Sequence, residues 1–174
     1  KQFNKIYFET ADADDFSNFK TGDKKIPYQV LSECKGVDLV GIRYEQLLPY
    51  EANSLQVINE ITPDAKPIRV IVGDFVTTED GTGIVHQAPG FGEDDNRVMK
   101  AAGFTEAPVP LDISARFTDE VTDFKGLAIK DADKDIIKNL KDRGQLFHQS
   151  TLVHSYPMCP RTDTPLIYRA MPQW

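Results

Sequence analysis

The amino-acid sequence predicts a mainly β domain with flanking helices, containing a β-barrel. Three observations carry that expectation. A β-branched run, Ile68 to Val76 (IRVIVGDFV), has the composition of a strand. Further short apolar segments recur along the chain, separated by glycine, proline and acidic turns. Two later stretches show helical periodicity, and each is followed by a glycine. Many short strands with a few helices pack best as a barrel with the helices outside it.

Taken in order, Lys1 to Asp23 mixes aromatic and acidic residues, and Ala11 to Phe19 reads as a short helix or a loop. Ile26 to Leu31 (IPYQVL) reads as a strand, with a turn at Lys35-Gly36. Val37 to Tyr44 (VDLVGIRY) is a further apolar segment, and Leu47 to Tyr50 an apolar turn. Glu51 to Pro67 carries two prolines and reads as a surface loop holding one short strand. Ile68 to Val76 and Gly83 to Gln87 (GIVHQ), joined through Glu79-Asp80-Gly81, read as a hairpin with His86 near its far end. Asp94 or Asp95 then caps a helix through Ala102, ended by Gly103, and Asp131 caps a second from Ala132 to Arg143, ended by Gly144. Short strands are expected around Phe117, Val121, Leu127 and Ile129, and from Leu146 to Val153.

Composition narrows the function. The 174 residues suffice for one sizeable domain, and 40% hydrophobic with 27% charged residues is ordinary for a globular chain. No apolar run approaches the roughly 20 residues that span a bilayer, and no signal-peptide pattern opens the chain. A start at Lys1 and an end at Trp174 lead to the expectation of a piece of a longer protein. Cys34 and Cys159 lie far apart and are expected as reduced thiols, a single disulfide being the alternative. A net charge of -7 argues against gripping long stretches of nucleic acid, because such binding works by phosphate neutralisation. Contact with one strand end stays open.

The stretch Gly81 to Asp95, GTGIVHQAPGFGEDD, holds the densest functional chemistry. It lacks the GxxxxGK-Ser/Thr of a phosphate loop. One histidine with aspartates eight and nine residues on is thin for zinc. No GxSxG occurs, and neither cysteine has a nucleophile's local signature. Recognition remains: a carboxylate for a positive group, an imidazole for a polar one, and glycines that let backbone amides approach a ligand. The plain alternative is a strand, a turn and a helix cap, with His86 hydrogen-bonded inside. Residue chemistry leaves both open.

The same fifteen residues closely resemble the signature of the editing domain of isoleucyl-tRNA synthetases, class I enzymes whose valine and leucine relatives differ at the histidine. Gly36, Leu39, Gly41 and Tyr44, then Phe124-Lys125-Gly126 and Asp131-Ala132-Asp133, fit recurrent segments of that domain. His154-Ser155-Tyr156-Pro157, Cys159, Arg161, Thr164-Pro165, Tyr168-Arg169 and Pro172-Gln173-Trp174 resemble the path back to the catalytic domain. The resemblance implies a single barrel-containing editing domain over residues 1–174, of which 154–174 is the return segment.

The implied task is hydrolysis of valine wrongly attached to the isoleucine tRNA. A hydrophobic pocket separates substrates differing by one methylene by roughly 1–3 kcal/mol, a limit for which the isoleucine enzyme is itself the standard worked example. A second, smaller pocket removes what the first admits. On this resemblance Asp95 holds the α-ammonium of the misattached amino acid. His86 lies near the aminoacyl end and takes part in discrimination by size, and Gly81, Thr82 and Gly83 form the wall beside the ligand. A positioned water attacks the ester, with a hydroxyl of the terminal adenosine as a candidate helper. The domain would need no metal or cofactor, whereas the parent enzyme would use ATP and magnesium. Its partners would be the 3′ end of the valine-bearing tRNA and the rest of the synthetase, in the cytoplasm and without a membrane.

Two departures qualify the resemblance. The family's other pocket wall, a threonine-rich segment resembling TTTPWTLP, is absent: Thr62-Pro63, Thr77-Thr78 and Thr164-Pro165 stand in other contexts. In the family it lies upstream, so this chain is expected to begin after it. Thr162 stands where some relatives carry a second cysteine, so Cys159 is not half of a CxxC zinc knuckle. The rival readings are a non-catalytic binding or structural fragment of the synthetase, and the editing domain of a valine enzyme acting on threonine.

Overall fold

The computed structural model describes residues 5–20, 22–51, 67–79, 82–151 and 153–171. It divides into two compact units, Lys1–Glu33 with Lys130–Ser155 and Cys34–Ile129 with Tyr156–Trp174. The described residues form a mixed α/β arrangement with few strands.

In the first unit, β1 (Ile6–Glu9) and β2 (Lys25–Tyr28) pair in parallel, with Ile6 opposite Lys25 and Glu9 opposite Tyr28. A parallel pair needs a crossover, here a short one built on helix α1 (Ala13–Asn18). Asp12 caps α1 by accepting from the Asp14 N–H at 2.9 Å, and Thr10 Oγ1 donates to Asp15 at 2.7 Å. Pro27 lies inside β2 but costs little there, because a two-stranded sheet asks for a donor on only one side. Tyr7 of β1 stacks on Phe147, with ring centroids 5.2 Å apart.

The longest helix among the described residues, α3, runs Ile129–Asp142, three residues ahead of the expected start. Asp131 therefore lies in its first turn, where a negative charge still suits the helix dipole. Ala132 is fully buried, while Ile136, Ile137 and Leu140 on the same face are half-buried. Gly144 takes the left-handed conformation expected of a C-terminal glycine, φ 70°. Residues 145 and 146 fold back, their N–H groups both donating to the Leu140 carbonyl. That return keeps 146–151 out of a ladder; Leu152 of the expected strand lies outside the described residues.

In the second unit, helix α2 (Glu93–Ala101) matches the expected helix but starts from Gly92, not from Asp94 or Asp95. Val98 and Met99 are buried on it, Met99 forming a core with Phe104, Ala102 and Ala107. Gly103, φ 93°, ends it, with Phe104 N–H donating back to Met99 O at 3.2 Å.

The structure bears out the strand expected from Ile26 to Leu31 in its first residues, as β2, and departs from the other expected strands. Ile68 has φ 60°, a left-handed value costly for a β-branched residue, so the extended run does not start there. Gly73 to Val76 closes as a turn, Val76 N–H donating to Gly73 O. What remains of the run pairs with 41–44: Gly41 N–H donates to Val70 O and Val70 N–H to Ile42 O, both at 2.9 Å, around the antiparallel bridge Arg43–Arg69. Residues 84–88 join no ladder, so the expected hairpin is not formed among the described residues. Asp80 and Gly81 of its turn lie outside them, as does most of the expected loop from Glu51.

Around Phe117 the pairing is again a set of bridges, Leu111 with Phe117 and Arg116 with Ala128. Val121 and Phe124 fold inward as the buried turn between 117 and 126. Such short ladders do not close, and the described residues show no barrel.

Replacing fully buried Ala132 with leucine overpacks its site and is expected to lower stability by about 1–3 kcal/mol. The exposed neighbour change Asp133→Ala should stay within about 0.5 kcal/mol. Urea midpoints of the two variants check this, and equal midpoints would refute the packing.

Candidate functional site

Gly92 turns the chain into α2 with an extended backbone, φ -114° and ψ 133°, and no side chain caps it. Glu93, Asp94 and Asp95 instead bring negative charge to the open N–H groups of the first turn. Asp95 also reaches backwards. Its Oδ2 accepts the Ala88 N–H at 3.0 Å. Phe91 and Gly92 N–H both donate to Ala88 O, at 2.8 and 3.0 Å, so residues 88–92 form one tight turn.

Two glycines of this turn are close-approach positions. A Cβ at Gly92 would stand 2.5 Å from Asp95 Oδ2, and one at Gly90 2.6 Å from the Pro108 carbonyl oxygen. Asn96 Nδ2 donates to Pro89 O at 2.9 Å. The Gly90 carbonyl accepts from Ala170 N–H at 2.8 Å, and Arg169 holds the Asp112 carbonyl at 3.0 Å. Beside the turn lies a cavity of about 170 Å³, lined among others by Phe91, Asn96, Tyr168 and Arg169.

The acidic triplet splits by geometry. Arg97 makes a two-pronged contact with Asp74, Nη2–Oδ1 2.6 Å and Nη1–Oδ2 3.2 Å, and a third bond to Asp94 at 3.1 Å. The Arg97 hydrogen bond holds the Asp74 carboxyl below the ordinary range, and Asp74 in turn raises Arg97. All three side chains are more than half exposed, so these pairs are solvent-screened. Asp95 is half-buried and has no cationic partner among the described residues.

His86 is exposed and makes no hydrogen bond among the described residues, to Asp95 or elsewhere. Thr82 is exposed, its hydroxyl 3.2–3.3 Å from the carbonyl and N–H of Ile84. Gly83 has φ 75°, and a Cβ there would stand 3.1 Å from Thr78 Cγ2. Gly81 lies outside the described residues. Asn96 and Ala170 were not legible in the sequence, and Gly90 and Gly92 only as members of the glycine-bent stretch. One signal was available: glycine three residues before an aspartate is the spacing at which a helix's first turn reaches back over its own start.

Elsewhere in this unit, Cys159 N–H donates to Thr164 O and Asp163 N–H to Cys159 O, both at 2.9 Å, closing a hairpin bridged by Met158 and Pro165. The Thr162 side chain, then the Arg161 and Thr162 backbone N–H groups, lower the Cys159 thiol from its ordinary value. Cys34 and Cys159 are both free. No helix among the described residues is long and apolar enough to cross a membrane.

No family model matches the chain. Individual proteins do. The isoleucine–tRNA ligase of Treponema denticola is 50% identical over 149 residues, covering 84% of this chain. That of Bdellovibrio bacteriovorus is 48% identical over 158 residues, 91% of the chain. The cytoplasmic isoleucine–tRNA ligase of Saccharomyces cerevisiae is 43% identical over 183 aligned residues, 99% of the chain. The chain belongs to the isoleucyl-tRNA synthetase family. It spans only about 14–16% of the length of these curated relatives, and so represents a segment of such a synthetase.

Two outcomes test the geometry of this synthetase segment. Gly92→Ala sets a Cβ 2.5 Å from Asp95 Oδ2, so the carboxylate must rotate away and release the Ala88 N–H, which should cost about 1 kcal/mol in urea unfolding; an unchanged midpoint would reject the close approach. Arg97→Ala should raise the Asp74 titration midpoint to the ordinary carboxylate value, read by carbon-detected NMR. The sign follows from the depressed folded value: Asp74 contributes stability above its unfolded pKa, about 3.9, which is lost as pH falls through the lower folded one. The variant loses that acid-side dependence, and an unmoved Asp74 midpoint would remove Arg97 as its cause.

Proposed function

We propose that this segment carries the proofreading site of an isoleucyl-tRNA synthetase and hydrolyses valine misattached to the isoleucine tRNA. The observation that carries the reading is the half-buried Asp95 carboxylate, oriented by Ala88 and paired with no cation among the described residues. Asp94, one residue earlier, already meets Arg97. An α-ammonium is the complementary charge for such a carboxylate, and a charge-assisted bond in a partly dry site is strong. The motif's resemblance and the names of the relatives support the same assignment.

In this reading Asp95 fixes the amino group and Gly81, Thr82 and Gly83 line the wall. His86 meets the aminoacyl end. An aminoacyl ester is already activated, so much of the rate comes from holding it and a water in register. The tRNA enters by its 3′ end, in keeping with a net charge of -7 that suits no long nucleic-acid track. The barrel-containing architecture belongs to this proposal too, and requires more strands than the described residues supply. ATP and magnesium would serve the parent's ligase chemistry, and the cytoplasm would be its location.

A second reading has its own observation. One Asp95 oxygen already serves the loop, and His86 has no hydrogen-bond partner among the described residues, as in a segment that shapes the synthetase without catalysing. The deciding experiment uses the full parent enzyme and valine-charged isoleucine tRNA. Asp95→Ala should reduce deacylation by at least about 100-fold, the range for losing a positioning contact, while isoleucine attachment continues. Deacylation at the parent's rate would instead leave Asp95 a loop anchor. Preference for threonine on the valine tRNA would assign the valine-type specificity.

A further inference from the structure

We infer that Asn96 is a positioning residue for Asp95, acting through the turn 88–92; this rests on the proofreading reading above. Asn96 follows Asp95 on α2 and is half-buried. Asp95 Oδ2 takes the N–H of Ala88, and Asn96 Nδ2 gives a hydrogen bond to the carbonyl of Pro89, at 3.0 and 2.9 Å. Consecutive helix residues thus hold consecutive loop residues, one as acceptor and one as donor. Ala170 N–H holds the next residue, Gly90, by its carbonyl at 2.8 Å.

Residues 89 and 90 are each held once from outside the turn, and Ala88, besides its N–H to Asp95, accepts the Phe91 and Gly92 N–H groups within it. Proline has no N–H, so the Pro89 carbonyl is the only backbone hydrogen-bonding group at that residue, and Asn96 uses it. Without that donor the carbonyl turns toward water and the turn loosens between its outer pins. Ala88 then ceases to present its N–H steadily to Asp95. A carboxylate meant to hold an ammonium in register loses its own bearing. A displacement of 1 Å in such a group can cost on the order of 100-fold in rate.

The test uses the full parent synthetase and two substitutions, Asn96→Leu, which keeps approximate size and loses the donor, and Asn96→Gln, which keeps the donor on a longer stem. Hydrogen exchange is read without substrate on the peptide covering Ala88 to Gly92, and deacylation of valine-charged isoleucine tRNA is measured alongside. Asn96→Leu should speed exchange in that peptide by about tenfold or more. It should lower the deacylation kcat by about 10- to 100-fold with KM unchanged, and Asn96→Gln should recover part of both. Exchange as slow as in the parent, or a loss confined to KM, overturns the inference. If Asp95→Ala leaves deacylation intact, the proofreading reading fails by itself, and the exchange result still decides whether Asn96 holds the loop.

Discussion

One hydrogen bond, Ala88 N–H to Asp95 Oδ2, ties the glycine-bent loop to the start of helix α2, and the geometry around the site depends on it. The bond exists because Asp95 is the third residue of the helix, close enough to its own N-terminus to reach back past Gly92. It leaves no room for a Cβ at 92 while the carboxylate keeps this rotamer, so a side chain there would push Asp95 off the Ala88 N–H. It also uses the helix dipole. A carboxylate over the open N–H groups of a first turn is held electrostatically as well as by its bond. Loop and helix start are therefore one unit, and a change in either is felt in the other.

That unit is only as fixed as the helix that carries it. Val98 and Met99 bury one side of α2, and Phe104 folds back under its end. At the C-terminus Arg69 lies over the Phe104 ring, 5.6 Å from its centroid, and donates to the Ala102 carbonyl at 3.1 Å. Cation at the carboxyl end and acids at the amino end are the arrangement the dipole favours. Arg69 belongs to the short ladder with residues 41–44, so this ladder, though no barrel, anchors the far end of the helix that bears Asp95.

Helices were more legible in the sequence than ladders, of which the strand expected at Ile26–Leu31 forms in part as β2, for a physical reason. The signals for α2 and α3 are local: apolar spacing, acidic first turns, and glycines 103 and 144, which do take left-handed conformations. Even there the starts moved; for α2, Gly92 in extended backbone serves as the N-cap at only a few tenths of a kcal/mol less than an aspartate. Strand pairing is not local. Ile68 to Val76 has the right composition, yet its partner is 41–44, about thirty residues back, and the left-handed Ile68 and the turn at Gly73 shorten it. The site divides the same way. Asp95 stood out by motif, whereas Asn96 and Ala170 act through contacts that no spacing rule announces.

The separate fates of Asp94 and Asp95 show how little sequence distance matters beside helical rotation. Successive residues on a helix are turned by about 100°, so adjacent carboxylates look in different directions. Asp94 faces Arg97 one turn on and shares that guanidinium with Asp74, so its charge is met on the exposed surface. Asp95 faces the loop, where only neutral backbone meets it among the described residues. A half-buried carboxylate that accepts a single N–H, with no cationic partner among the described residues, keeps unused acceptor capacity. That is a cost to a purely structural residue, which amide chemistry could have avoided, and an asset to one that receives a cation from outside. On the proofreading reading the asymmetry has a use: the arginine keeps the neighbouring acid out of competition, and the incoming ammonium meets one carboxylate in one orientation.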